Sequence, residues 1–228
     1  LFCQQNGFTS MPSEPKIVTL YLTNLSKSSK YSTLKRRLAS ISVVHRLNGH
    51  YLDTKHPVIT ENLLGIKRIK GTYQKAKKPI LINELKLIID FINKEKNENN
   101  KIKYKALILI GFSGGFRRSE LVNIDYEDLE FVNEGVKIFI KRSKTDQSGE
   151  GMTKAIPYFD NEDFCPVKSL RLWITQSNIN FGKIFNISDK SVALIIKKYA
   201  NLAGLNSEKY AGHSLRSGFA TTTAESGA

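Results

Sequence analysis

The sequence has only two cysteines, no long apolar run and, from residue 62 to residue 83, no acidic side chain at all. Each shortage excludes something. Cys3 and Cys165 are far apart and stand in no CxxC or histidine-rich context, so neither a disulfide framework nor a zinc site is implied, and a cytoplasmic, reducing setting fits. No apolar stretch approaches the roughly 20 residues of a membrane span and no signal peptide opens the chain, which reads as soluble, with no membrane partner. An initiator methionine is missing too. The opening LFCQQNG looks like the tail of an interrupted helix, and the expectation is a fragment of a longer protein.

The missing acids belong to a wider imbalance. Lys and Arg number 35 against 21 Asp and Glu, a net +14 over 228 residues, and residues 1–79 alone hold 14 basic and 3 acidic side chains. Neutralising phosphates with such a surface releases counterions and makes binding strong and salt-dependent, so nucleic acid is the leading partner and an anionic membrane surface trails. With 40% hydrophobic residues, the chain has apolar material for one large or two modest domains with real cores.

Ile17, Leu20, Tyr21 and Leu25 predict a short helix over 16–25. Leu34, Leu38, Ile41, Val44 and Leu47 predict a second, stopped by Asn48-Gly49, with Lys35, Arg36 and Arg46 on its other sides. A third, TENLLGIKRIK, is expected to take Thr60 as its N-cap. Residues 1–70 therefore read as a small all-helical unit. The stretch KRIKGTYQKAKK then packs six basic residues into 67–78. Alone it is a solvated linker; beside basic helices, a segment lying along DNA is the favoured reading. Residues 71–79 are taken as a basic linker and 80–228 as a second unit.

In that unit NELKLIIDFINKEKN and KIKYKALILIGFSG predict two helices, the second more buried. Gly114 and Gly115 break it before FRRSELVNI. The alternating, Val/Ile/Phe-rich DLEFVNEGVKIFIKRSKTDQSGEGMTKAIPYF predicts a small antiparallel sheet. Further helices are expected over 166–177, 188–203 and 214–225. The fold class is mainly α in two domains, a small all-helical one and an α+β one with a small antiparallel sheet.

Three patches carry possible chemistry. In GGFRRSELVNI, Arg117 and Glu120 are spaced i, i+3, so the carboxylate can orient the guanidinium. In FIKRSKTDQSG, Lys144 sits where a strand runs into a turn. In GHSLRSGFATTTAESGA, His213 and Arg216 are spaced i, i+3 at the positive end of a helix, a turn suited to a phosphate. Singly, each is a helix salt bridge, a solubilising lysine and a capping histidine beside a surface arginine. The order Arg, Lys, His-x-x-Arg is far more specific than its parts.

In that order the sequence resembles the tyrosine recombinases, or phage-type integrases, in the Cre-like arrangement. SGGFRRSELVNI looks like the first arginine box, RSKTDQ like the β-hairpin lysine, and HSLRSGFAT like the HxxR box. KSVALIIKKYANLAGL resembles the helix before that box, while FCQQNGFTSMPSEPKIVTLYL and YSTLKRRLASISVVHRLNG look like parts of the helical core-binding domain. The resemblance implies the DNA breaking-rejoining fold, with an N-terminally incomplete core-binding domain over 1–70 and a C-terminally incomplete catalytic domain over 80–228. It implies Arg117 and Arg216 on the phosphate oxygens, Lys144 as general acid, His213 as phosphate donor and proton carrier, and Glu120 orienting its neighbours, with no metal and no cofactor. The nucleophile would be a tyrosine well downstream of the HxxR box, forming a 3′-phosphotyrosine. All nine tyrosines precede that box, Tyr210 being nearest, so the chain itself is expected to bind DNA without cleaving it.

The expected partner is double-stranded DNA, bound by Ser32, Lys35, Arg36, Arg46, Lys67, Arg68, Lys70, Lys75, Lys77, Lys78 and Arg142. A homotetramer on DNA is expected of the full-length protein and a monomer of this chain. Two other readings stand beside it: a catalytically inactive, sequence-specific DNA-binding protein on the same scaffold, and, ranked low, a type IB topoisomerase.

Overall fold

The computed structural model describes residues 1–72, 77–142 and 149–227, and the chain divides into two compact units, Leu1–Lys75 and Ala76–Ala228. In the first, a short α1 (Phe2–Gln5) precedes α2 (Pro15–Ser26), α3 (Tyr31–Leu47) and α4 (Pro57–Lys70). Their apolar stripes meet in one core of Val18, Leu22, Leu34, Leu38, Leu52, Ile59, Leu63 and Ile66.

Two expectations are corrected here. The start of α4 lies a turn before Thr60: Pro57 occupies the first helical position with φ preset, and His56 is the N-cap, its Nδ1 accepting from the Val58 N–H at 3.3 Å. On α3 the buried face is Leu34, Leu38, partly Ile41, and then His45, while Val44 and Leu47 are exposed at 47% and 77%. At about 100° per residue, position 45 falls about 20° from Leu34 and position 47 about 140° away. His45 is buried as a satisfied polar group: Nε2 accepts from the Ser13 N–H at 3.0 Å and Nδ1 bonds the Ile41 carbonyl at 2.9 Å, so both ring nitrogens have partners.

The second unit contains α5 (Ile82–Ile92), α6 (Glu98–Ser113), α7 (Arg118–Val122), strands β1 (Leu129–Val132), β2 (Gly135–Ile140) and β3 (Met152–Pro157), then α8 (Pro166–Gln176), α9 (Asp189–Leu202) and α10 (Ser214–Glu225). The strands form an antiparallel sheet in the order β1-β2-β3, with Leu129 opposite Ile138 and Ile140 opposite Met152. Val136, Ile138 and Ile140 alternate inward along β2, while α6 is buried without a break from Ala106 to Phe112. That all-round burial makes α6 the axis of this unit, and its C-terminal end is where the candidate site begins.

Candidate active site

At the end of α6 the chain reverses through Gly114 and Gly115. Gly115 has φ +54°, a left-handed conformation that glycine adopts without a β-carbon clash, and the Phe219 ring of α10 lies 2.7 Å from where a β-carbon would be. The turn delivers Arg117 to the N-cap of α7 rather than into its body, and Glu120 to the third helical position. The Glu120 carboxylate accepts the Arg117 backbone N–H at 2.8 Å and its Nη1 at 2.6 Å. Oε2, the oxygen that accepts the backbone N–H, also lies 3.9 Å from Nη1 of Arg216, which donates to the Gly115 carbonyl at 2.9 Å. The carboxylate side chain is 2% exposed, against 20% for Arg117 and 42% for Arg216. One buried acid thus faces two guanidiniums that still reach solvent, a geometry that presents paired donors to an anionic oxygen.

His213 is the N-cap of α10, three residues before Arg216, with an exposed imidazole that takes no part in capping. Ser214 closes the turn instead, its Oγ accepting the Ala211 N–H at 3.0 Å. Gly212 packs on the stem of Arg118, leaving no room for a β-carbon, so the FRR and GHS segments interlock directly. The structure therefore brings together Arg117, Glu120 and Arg216, with His213 one turn before Arg216. Lys144 and Lys75 lie outside the described residues.

Sequence reasoning missed Lys154. On β3 it is in phase with buried Ile156, a signal legible as a lysine on the inward side of a strand. Its Nζ donates to the carbonyls of Gly114 at 2.6 Å and Gly115 at 3.2 Å and lies 4.6 Å from the centre of the Phe116 ring. Burial pushes its ammonium below the usual lysine range; Glu120 opposes the shift, and Arg216 and Arg117 add to it. At the end of β2, Lys141 bonds Asp125 at 2.8 Å and Asp128 at 2.9 Å, and Lys183 bonds Asp125 at 2.8 Å. The hydrogen bonds to Asp125 and Asp128 push the Lys141 ammonium upward. Arg142, next in the chain, is exposed.

The candidate DNA contacts divide by surroundings. Ser32, Lys35, Arg36 and Arg46 are exposed on α3, as are Lys67, Arg68 and Lys70 on the last turn of α4. Lys70 Nζ also donates to the Ser29 carbonyl at 3.1 Å, beside a hollow of about 530 Å³ lined by Lys27, Lys30, Lys35 and Lys70. Lys77 and Lys78 are engaged within the second unit: Lys77 Nζ donates to the Glu208 carbonyl at 2.6 Å, and Lys78 pairs with Glu84. Tyr210 is buried and donates to Glu84 at 2.9 Å, and burial pushes its phenol above the usual range. No group of three or more His, Cys, Asp or Glu side chains able to hold a metal occurs among the described residues, nor does a helix long and apolar enough to cross a membrane.

Helices around one small antiparallel sheet form the fold of a tyrosine-recombinase catalytic domain. The model of the phage integrase family matches residues 80–228, and the chain belongs to that family. It is 42% identical to the integrase/recombinase xerD homolog of Selenomonas ruminantium, over 98% of this chain and 70% of that protein. To the tyrosine recombinase XerD of Rickettsia prowazekii it is 29% identical, over 67% of this chain and 52% of that one. Its fold is similar to the XerH site-specific recombinase solved bound to difH substrate, with TM-score 0.64 and 16% identity, covering 98% of this chain and 64% of that one. The fold of a Tn1549 transposon integrase solved with circular intermediate DNA is likewise similar, with TM-score 0.62 and 16% identity, over 96% of this chain and 75% of that one.

Proposed function

We propose that the chain is the DNA-binding and partial catalytic part of a site-specific recombinase that cleaves and rejoins duplex DNA through a 3′-phosphotyrosine. The observation that carries the reading is the pair of guanidiniums, Arg117 and Arg216, set against the single buried carboxylate of Glu120. When a tyrosine oxygen attacks phosphorus and the bond to the 5′ oxygen breaks, charge builds on the two non-bridging oxygens. Two preorganised guanidiniums meet it with charge-assisted hydrogen bonds. Lys144 gives its proton to the departing 5′ oxygen, and His213 donates to the phosphate and carries the proton that the attacking phenol releases. Glu120 orients without reacting.

All nine tyrosines precede His213, and the nearest, Tyr210, is bonded to Glu84. The nucleophile is therefore assigned to a segment beyond the 228 residues, and the full-length protein to a tetramer on two DNA sites in the cytoplasm. The 228-residue chain is assigned to a monomer that binds DNA, with the α3 residues Ser32, Lys35, Arg36 and Arg46 and the α4 residues Lys67, Arg68 and Lys70 on the duplex. Lys75, Lys77, Lys78 and Arg142 complete the proposed contact set, Lys77 and Lys78 exchanging their internal bonds for phosphate.

The test has two arms. The 228-residue chain should bind duplex DNA with affinity that falls steeply with salt and form no covalent adduct; the protein from the complete reading frame should form one on a nicked suicide substrate. A frame that continues without a tyrosine and yields no adduct supports the inactive DNA-binding protein instead. An adduct on any of the nine tyrosines here would overturn the assignment of the boxes.

A further inference from the structure

The sheet contributes a third cation to the arginine cluster, and its geometry is specific. Lys154 does not point along the strand surface into water. It reaches the reversal at the end of α6 and holds two successive carbonyls, Gly114 at 2.6 Å and Gly115 at 3.2 Å. The Gly115 carbonyl is also the acceptor for Arg216 at 2.9 Å. A single oxygen thus joins β3 to α10, and the next residues in the chain, Phe116 and Arg117, follow directly from it. We infer that Lys154 is a positioning residue for the phosphate grip, fixing the Gly114–Gly115 carbonyls so that Arg216 and Arg117 present their guanidiniums together. The inference rests on the recombinase reading for its consequence in catalysis, but its geometric content stands on the contacts alone.

Three observations support it. The turn also packs on Phe219, whose ring lies 2.7 Å from where a β-carbon on Gly115 would be, so side chains of both β3 and α10 bear on it. Secondly, Lys154 shares the Gly115 carbonyl with Arg216, and the Arg216 and Arg117 guanidiniums oppose its charge while Glu120 favours it. An apolar side chain in phase with Ile156 would avoid that repulsion and the desolvation of an ammonium, so packing does not account for a lysine here. Thirdly, a lysine supplies three rotatable donors, and two successive carbonyls with the face of the Phe116 ring beneath match what an ammonium can satisfy.

The experiment compares Lys154→Met, which keeps length and removes the donor, with Lys154→Arg, which keeps a cation able to reach both carbonyls. In the 228-residue chain, the Arg216 Nε–Hε resonance should move toward the position of an unrestrained arginine in Lys154→Met and stay near wild type in Lys154→Arg. In the protein from the complete reading frame, Lys154→Met should cut the cleavage rate on a nicked suicide duplex about 100-fold while leaving duplex affinity within about threefold, and Lys154→Arg should restore most of it. Cleavage by Lys154→Met within threefold of wild type would overturn the inference, as would equal loss in both variants. If wild-type protein makes no adduct, the recombinase reading has failed by itself. The positioning claim is then decided by the Arg216 resonance, and an unmoved signal in Lys154→Met rejects it.

Discussion

Glu120 is the residue on which the candidate site turns, because it satisfies a backbone N–H and a guanidinium at once from a side chain that is 2% exposed. Its i, i+3 relation to Arg117 was legible in the sequence; its burial and its approach to Arg216 were not, since Arg216 comes from a helix almost a hundred residues on. Removing it takes the Glu120 acceptor from a buried backbone donor and from a partly buried charge. Glu120→Ala is expected to lower the unfolding free energy by about 2–3 kcal/mol and Glu120→Gln, which can still accept the Arg117 N–H, by about 1 kcal/mol. Urea titration of the 228-residue chain measures both, and a loss below about 0.5 kcal/mol for the alanine would contradict the holding role.

Two elements give tests that depend on how helices are placed. Gly218 of α10 lies against the Ile80 carbonyl, whose own N–H donates to the Ser214 carbonyl at 3.0 Å, and a methyl group at Gly218 would run into that carbonyl. Gly65 of α4 faces open space. Gly65→Ala should stabilise by up to about 1 kcal/mol through helix propensity, whereas Gly218→Ala should destabilise by about 1–3 kcal/mol through overpacking. Thermal or urea unfolding distinguishes the two, and a gain at Gly218 would show the contact to be looser than described. A second element-level test concerns the chain after α5, where the Glu95 carboxylate accepts Lys198 Nζ at 2.7 Å and the Tyr199 hydroxyl, both on α9. Hydrogen bonds from Lys198 and Tyr199 draw Glu95 down to about 2, below an unfolded value near 4.5. Burial and the bond to Glu95 raise the Tyr199 phenol to about 12, above its usual 10.0. A depressed carboxylate stabilises the fold fully above its unfolded value and loses that contribution as pH falls toward 2; a raised phenol loses its contribution as pH rises from 10 to 12. Glu95→Gln should flatten the urea-stability profile of the chain between pH 4.5 and 2, and an unchanged slope would count against the bond.

Across the whole molecule the charge is distributed unevenly, with 14 basic and 3 acidic side chains in residues 1–79. Lys35, Arg36 and Arg46 stand exposed on α3. If all three contact phosphate, replacing them together with alanine should reduce the slope of log Kobs against log salt by about 2.7, at about 0.9 per contact on duplex DNA. Fluorescence anisotropy on a random-sequence duplex across a salt series reads this directly. An unchanged slope would move the binding face away from α3.

Much of this protein was legible along the chain: period and alternation predicted the helices and a small antiparallel sheet, and the resemblance of the contiguous boxes pointed to the family. Heptad-scale apolar spacing and strict alternation are local properties of a chain, and the boxes around Arg117 and His213 are contiguous. Local spacing misjudged α3, where the accumulated rotation of the helix brings His45 inward and turns Leu47 out. It read Lys77 and Lys78 only as DNA contacts and missed their partners in the second unit, the Glu208 carbonyl and the Glu84 carboxylate, which docking of the entry segment sets. Only the tertiary structure decided that Glu120 faces both arginines and that Lys154 shares the Gly115 carbonyl with Arg216. Those contacts join residues from α7, β3 and α10, and their distances follow from how the elements pack around α6, which no spacing along the chain encodes.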